Sequence, residues 1–233
     1  PLMGADKKPL TKDFKSLKAL AEKGGVRAQY NLGRSYHVDM KGGRNYREAV
    51  KWYRKAAEQN NAKAQYSLGC MYAEGEGVAK NKTEAGKWHR KAAKQGYALA
   101  QHSLALQLSW GNEQEKREAA ILHRKAAVQG IDTAQWAIGH CYDKGKGIPE
   151  DQVMAYAWYT VAELSKSGVQ VWVKQAKEQL VKRMTRKQTA EALKITGDLL
   201  KKIESTDSKS VGLPDFPMAP PRIDPRTGLP IAD

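Results

Sequence analysis

Between residues 28 and 36 the apolar and small positions fall at Ala28, Leu32 and Tyr36, spaced i, i+4 and i+8, with Gly33 beside them. That spacing predicts an α-helix with one narrow apolar face, small enough for another backbone to approach closely. The pattern returns along the chain. Ala64-Gln65-Tyr66-Ser67-Leu68-Gly69 repeats Ala28-Gln29-Tyr30-Asn31-Leu32-Gly33 after 36 residues. Ala100-Gln101-His102-Ser103-Leu104-Ala105 follows after another 36, and Ala134-Gln135-Trp136-Ala137-Ile138-Gly139 after 34. Glycine inside a helix costs about 1 kcal/mol relative to alanine. Its return at Gly33, Gly69 and Gly139 therefore predicts a packing demand that a larger residue would violate, met less fully by Ala105.

A second phrase keeps step with the first: Trp52-Tyr53-Arg54-Lys55-Ala56-Ala57, Trp88-His89-Arg90-Lys91-Ala92-Ala93 and Leu122-His123-Arg124-Lys125-Ala126-Ala127, with a worn copy at Trp158-Tyr159-Thr160-Val161-Ala162. Each repeat thus holds two helices. Asn45 and Asn81 stand three residues before Glu48 and Glu84, the spacing with which an asparagine oxygen satisfies first-turn N–H groups, and Asp151 takes the same place later. Between the paired helices Gly75-Glu76-Gly77-Val78 and Gly145-Lys146-Gly147-Ile148 predict tight reversals with positive φ. The third repeat lacks this loop and is two residues shorter.

The combination A-x-x-x-L-G-x-x-Y, then G-x-G-V, then A-x-x-W-Y-x-K-A-A, at a period near 36, resembles the Sel-1-like repeat family, a branch of the tetratricopeptide-like helical repeats. The resemblance implies an all-α fold, a right-handed α/α solenoid of about four helix-turn-helix repeats. It covers residues 25–165, with good copies at 64–99 and 134–165, one copy weakened at Met40 to Arg44, and one shortened. Residues 1–24 are expected to contain an N-terminal capping helix over Thr11 to Lys23. Residues 166–204 are expected to supply closing helices over Val169 to Arg183 and Arg186 to Ile203, the latter opened by Thr185 and Gln188 in capping-box spacing. Residues 205–233 carry six of the nine prolines and are expected to be disordered or extended along the solenoid.

Composition narrows the function classes. No stretch approaches the roughly 20 apolar residues of a membrane-spanning helix. The net charge of +15 favours acidic proteins, anionic headgroups or nucleic acid as partners without choosing among them. No nucleic-acid reader motif accompanies it, so nucleic-acid binding is disfavoured. The chain begins at Pro1 without a methionine, so either a leader peptide was removed or preceding residues were left out. The resemblance, many of whose bacterial members act in the periplasm, implies a periplasmic or envelope location rather than a cytoplasmic one. Cys70 and Cys141 stand two repeats apart. Stacked helix pairs advance about 10 Å each, beyond disulfide reach, so both thiols are expected to be free.

A stack of helix pairs leaves no single central cleft, so chemistry would need a specific constellation. His89 and His123 share a register with Tyr53 and Tyr159, which points to packing. His102, His140 and Cys141 are a conceivable metal or nucleophile group, but no carboxylate or second cysteine stands at ligand spacing. Gly75-x-Gly77 and Gly145-x-Gly147 join two helices and lack the strand of a phosphate-binding loop. No catalytic residue, cofactor or metal site is expected.

A protein partner remains. In the first helix of each repeat, the position two residues after the alanine and the one a turn later are expected to face an inner curve. These rows are Tyr30, Tyr66, His102 and Trp136, then Arg34, Cys70, Leu106 and His140. Aromatic and arginine side chains concentrate interface energy, so Tyr30, Arg34, Tyr66, His102, Leu106, Trp136 and His140 are the candidate partner-binding residues. Packing of this two-row ladder against neighbouring helices or the proline-rich tail is the competing expectation. Lys174, Lys177, Lys182, Arg183, Arg186 and Lys187 form either a solvated cap face or a docking surface for an acidic partner. Sel-1-like proteins generally organise protein complexes, and some resemble immunity proteins paired with secreted phospholipase effectors. The resemblance thus implies a non-enzymatic binding module, with an envelope or signalling scaffold as the alternative. The β-lactam-binding or hydrolysing relatives look like chains with a cysteine pair in each repeat, which this one lacks.

Overall fold

The computed structural model describes residues 10–38, 44–165, 169–207, 223–224 and 229–230. The protein is an all-α repeat fold, and its contacts divide it into two compact units, Pro1–Ala100 and Gln101–Asp233. The loop around Met40 and most of the proline-rich tail lie outside the described residues. Where the tail is described, Ile223–Asp224 pairs antiparallel with Leu229–Pro230.

The first unit contains α1 (Leu10–Glu22), α2 (Val26–His37), α3 (Tyr46–Glu58), α4 (Ala62–Glu74) and α5 (Lys82–Lys94), each packed on its neighbour in sequence. Phe14 and Leu17 of α1 pack against a cluster of Ala21, Leu32 and Trp52. A second cluster joins Tyr30, Tyr53, Leu68, Met71 and Trp88 with the alanines of both repeat phrases. Those alanines retain almost no exposed surface, so the phrase A-A lies in the packed seam between helices.

Side-chain caps set the helix starts. Asn45 Oδ1 accepts from Glu48 N–H at 3.1 Å and Asn81 Oδ1 from Glu84 N–H at 2.9 Å, as the spacing predicts. Asn61 does the same for α4 through Ala64 N–H. The reversal before α5 needs glycine twice over at Gly77. Its φ is +70°, and a Cβ there would collide with the Tyr46 carbonyl.

α6 (Ala98–Leu108) carries the boundary between the units. The second unit continues with α7 (Glu113–Val128), α8 (Asp132–Lys144), α9 (Gln152–Leu164), α10 (Gln170–Val181) and α11 (Arg186–Asp207). α7 opens with a complete capping box between Asn112 and Glu115, and only four residues separate it from the end of α6, without a G-x-G loop. α10 closes the stack by inserting Val173 and Leu180 beside Trp136 and Tyr159. α11, opened by the expected Thr185–Gln188 box, packs on α9 and reaches α7, with Thr196 Oγ1 donating to the Ala157 carbonyl.

Candidate protein-binding site

The seven candidate residues divide between the units. In the first, the Tyr30 ring lies 5.9 Å from Tyr53, and the Tyr66 ring lies 5.5 Å from His89 and 5.4 Å from Tyr97. In the second, His102 lies 5.1 Å from His123, and Trp136 stacks on His140 at 5.4 Å and 9°. Tyr30, Tyr66, His102 and Trp136 keep only 6, 4, 2 and 9% of their surface exposed. The expectation that this row faces an open groove is corrected: the competing expectation, packing against neighbouring helices, describes the row. The reason is local. Tyr30, Tyr66 and His102 each turn toward the ring that the second helix of the same repeat presents: Tyr53, His89 and His123. The row one turn on is partly exposed at Arg34, Cys70, Leu106 and His140.

The imidazoles follow from this packing. Nδ1 of His102 and Nδ1 of His123 are 3.1 Å apart, one donating to the other. Burial lowers His102 to about 4 and holds His123 well below its ordinary value, helped by the neighbouring His102. Burial likewise lowers His89 and His140 to about 4. All four are neutral at pH 7. Both cysteines are free, and burial pushes the Cys70 and Cys141 thiols up to about 12 and about 11, far from the thiolate form a nucleophile needs. Among the described residues no three His, Cys, Asp or Glu side chains gather as a metal site.

Three candidates nevertheless converge. Leu106, Trp136 and His140 line one pocket in the second unit, with Ser109, Trp110 and His123. Trp110 is 55% exposed, and Lys116 and Lys146 stand at the same pocket. His140 Nε2 is buried there without a hydrogen-bond partner among the described residues. Sequence reasoning missed Trp110 and Lys146. A signal for Trp110 existed: it is a tryptophan outside both repeat phrases, in the stretch where the third repeat departs from the pattern.

The basic closing helices divide as well. Arg183 pairs with the buried Asp143 and, at 3.4 Å, with Glu150, while Lys177 pairs with Glu163 and lies over the Tyr156 ring. These two cations tie the closing segment to α8 and α9, Arg183 while keeping 41% of its side chain exposed. Lys174, Lys182, Arg186 and Lys187 are exposed.

The Sel1 repeat model matches residues 26–61, 62–97 and 132–163, passing over the shortened third repeat. A Sel1 repeat protein from Oxalobacter formigenes shares 30% identity over 79% of this chain and 82% of its own, with a TM-score of 0.61. The chain belongs to the Sel1 repeat family. A protective antigen of uropathogenic Escherichia coli with an SLR fold is 27% identical over 90% of this chain, with a TM-score of 0.55, and this chain spans 55% of its length. An immunity protein from Pseudomonas aeruginosa covers 95% of the chain at 17% identity with a TM-score of 0.45, a likeness that carries no argument about role. No curated protein matches the chain. Sel1 repeats are generally non-enzymatic protein-interaction scaffolds. No helix among the described residues is long and apolar enough to cross a membrane.

Proposed function

We propose that the protein is a non-enzymatic binding module that grips a protein partner at the second-unit pocket, around Leu106, Trp110, Trp136 and His140. The observation that carries this reading is the exposed indole of Trp110 at the mouth of a pocket walled by rings. An exposed aromatic beside a ring-lined recess is the composition of an interface hot spot. The high positive charge favours a partner with an acidic surface, brought in by long-range attraction. The form of the role we favour is neutralisation of a secreted effector such as a phospholipase, since an inhibitor need only cover an active-site entrance.

Affinity purification from native extracts with the full chain and its Trp110→Ala variant tests this. One dominant partner, released as salt rises and lost from the variant, is the expected result. Undiminished capture by a folded Trp110→Ala chain overturns the pocket as the docking place. Several partners in comparable amounts favour a scaffold instead.

A further inference from the structure

The two G-x-G loops occupy one register of the repeat but carry opposite charges between their glycines. In the first unit the residue is Glu76, and its carboxylate pairs with His37 Nε2 at 3.2 Å. In the second unit it is Lys146, and the residue at the His37 register is Ser109, which offers no charge. Ser109 is occupied locally, its hydroxyl donating to the Ala105 carbonyl at 2.7 Å. Lys146 is partly buried and makes no ion pair among the described residues. Its charged neighbours are cations: burial, then Lys116 and Lys144, lower its pKa, with the Cys141 thiol the single group acting the other way. Lys116 is already paired with Glu113 at 2.7 Å. A half-desolvated ammonium in such company favours an arriving carboxylate.

The ammonium stands beside an apolar wall. Trp110 is the exposed ring, Leu106 and Ala137 are aliphatic, and the Trp136–His140 stack supplies a flat face. We propose that the pocket binds a segment of the partner protein in which an aromatic or aliphatic side chain adjoins a carboxylate. The side chain lies against Trp110 and the Trp136–His140 stack, and the carboxylate on the Lys146 ammonium. This rests on the reading of the pocket as the docking place and adds the chemistry that it selects.

The test uses two small probes on the full chain, N-acetyl-phenylalanine and its uncharged amide, followed by amide chemical shifts of Ala137, Cys141 and Lys146. The acid is expected to bind saturably in the millimolar range and the amide about fivefold more weakly, the scale of one partly exposed charge-assisted contact. Lys146→Met should bring the acid to the level of the amide, Lys146→Arg should preserve the preference, and neither should lower the urea midpoint. Equal binding of acid and amide, an unchanged preference in Lys146→Met, or no saturable shift overturns the proposal. If that happens while Trp110→Ala still abolishes partner capture, the docking reading survives alone. Acid-selective binding beside a partner that ignores Trp110→Ala overturns the docking reading instead.

Discussion

The ring of Tyr53 covers Gly33 so closely that a Cβ on the glycine would lie 2.7 Å from Tyr53 Cδ1. Tyr159 stands over Gly139 at the same distance, and His89 covers Gly69 more closely still. Helical glycine thus stands in these three repeats where the second helix lays a ring on it, while the third repeat carries Ala105 at the same register. Alanine at position 33 would gain about 1 kcal/mol in helix propensity and lose more through a displaced, fully buried tyrosine. We expect Gly33→Ala to destabilise the protein by about 1–3 kcal/mol. In a Tyr53→Ala background the same change should be neutral or favourable. Urea unfolding of the four proteins of this cycle measures the coupling, and additive effects would show that the ring does not dictate the glycine.

The buried imidazoles make acid stability a second expectation. His89 and His102 sit at about 4 in the folded chain, against 6.5 unfolded. Between those values the unfolded chain takes up protons that the folded one refuses. Stability is therefore full above about pH 6.5, falls as pH drops toward about 4, and stops falling below it, by at most about 3 kcal/mol per histidine. His89→Tyr places at this register the ring that Tyr53 and Tyr159 already place over their glycines. That variant should fold and show a shallower loss of urea midpoint between pH 6.5 and 4. An unchanged slope would mean that His89 does not contribute.

The repeat helices, the G-x-G loops and several of the caps were legible in the sequence because each depends on residues a few positions apart, whereas the caps at Asn61 and Asn112 went unread. Asn45 with Glu48 and Thr185 with Gln188 needed no tertiary knowledge. The direction of Tyr30 and Tyr66 was not legible, because the same register can meet an inner curve or a ring of the paired helix, and only packing decides. The docking of α11 on α9 escaped because α11 belongs to no repeat. The pocket escaped because it arises from a departure, a shortened third repeat with Trp110 in its connection, and from a change of charge between Glu76 and Lys146.

Arg183 differs from the other exposed cations of the basic cap in having a buried carboxylate as its partner, which yields a third expectation. Asp143 is 5% exposed and answered by Arg183 and Lys144. Removing the guanidinium leaves a buried carboxylate with one partner, so Arg183→Ala should cost about 1–3 kcal/mol of stability. Lys182→Ala and Lys187→Ala, on exposed side chains, should cost less than about 0.5 kcal/mol. Thermal unfolding separates the two groups. Equal effects would return Arg183 to the solvated face.

A repeated side-chain relay gives the last expectation. Gln65 is buried, its amide donates to the Ala57 carbonyl at 3.1 Å, and its oxygen accepts from Gln95 at 2.7 Å. Gln29 makes the same pair of contacts, to the Ala21 carbonyl and from Gln59, and in the second unit Gln129 donates to Gln101 at 2.9 Å and Gln135 to the Ala127 carbonyl at 3.2 Å. At Gln29, Gln65 and Gln135 the Gln after the alanine thus ties its helix to the end of the helix before it, where the last carbonyls have no partner within their own helix. Gln65→Leu keeps the volume but removes one of the two donors to the Ala57 carbonyl, leaving it the Asn60 N–H at 3.1 Å, at a cost of about 0.5–1.5 kcal/mol. Gln95→Ala removes an exposed donor, and water can replace it at Gln65, so its cost should stay below about 1 kcal/mol. Hydrogen exchange should show the difference locally, as faster exchange of the first amides of α4 in Gln65→Leu and not in Gln95→Ala. Equal protection in both variants would mean that the relay follows from the packing and does not stabilise it.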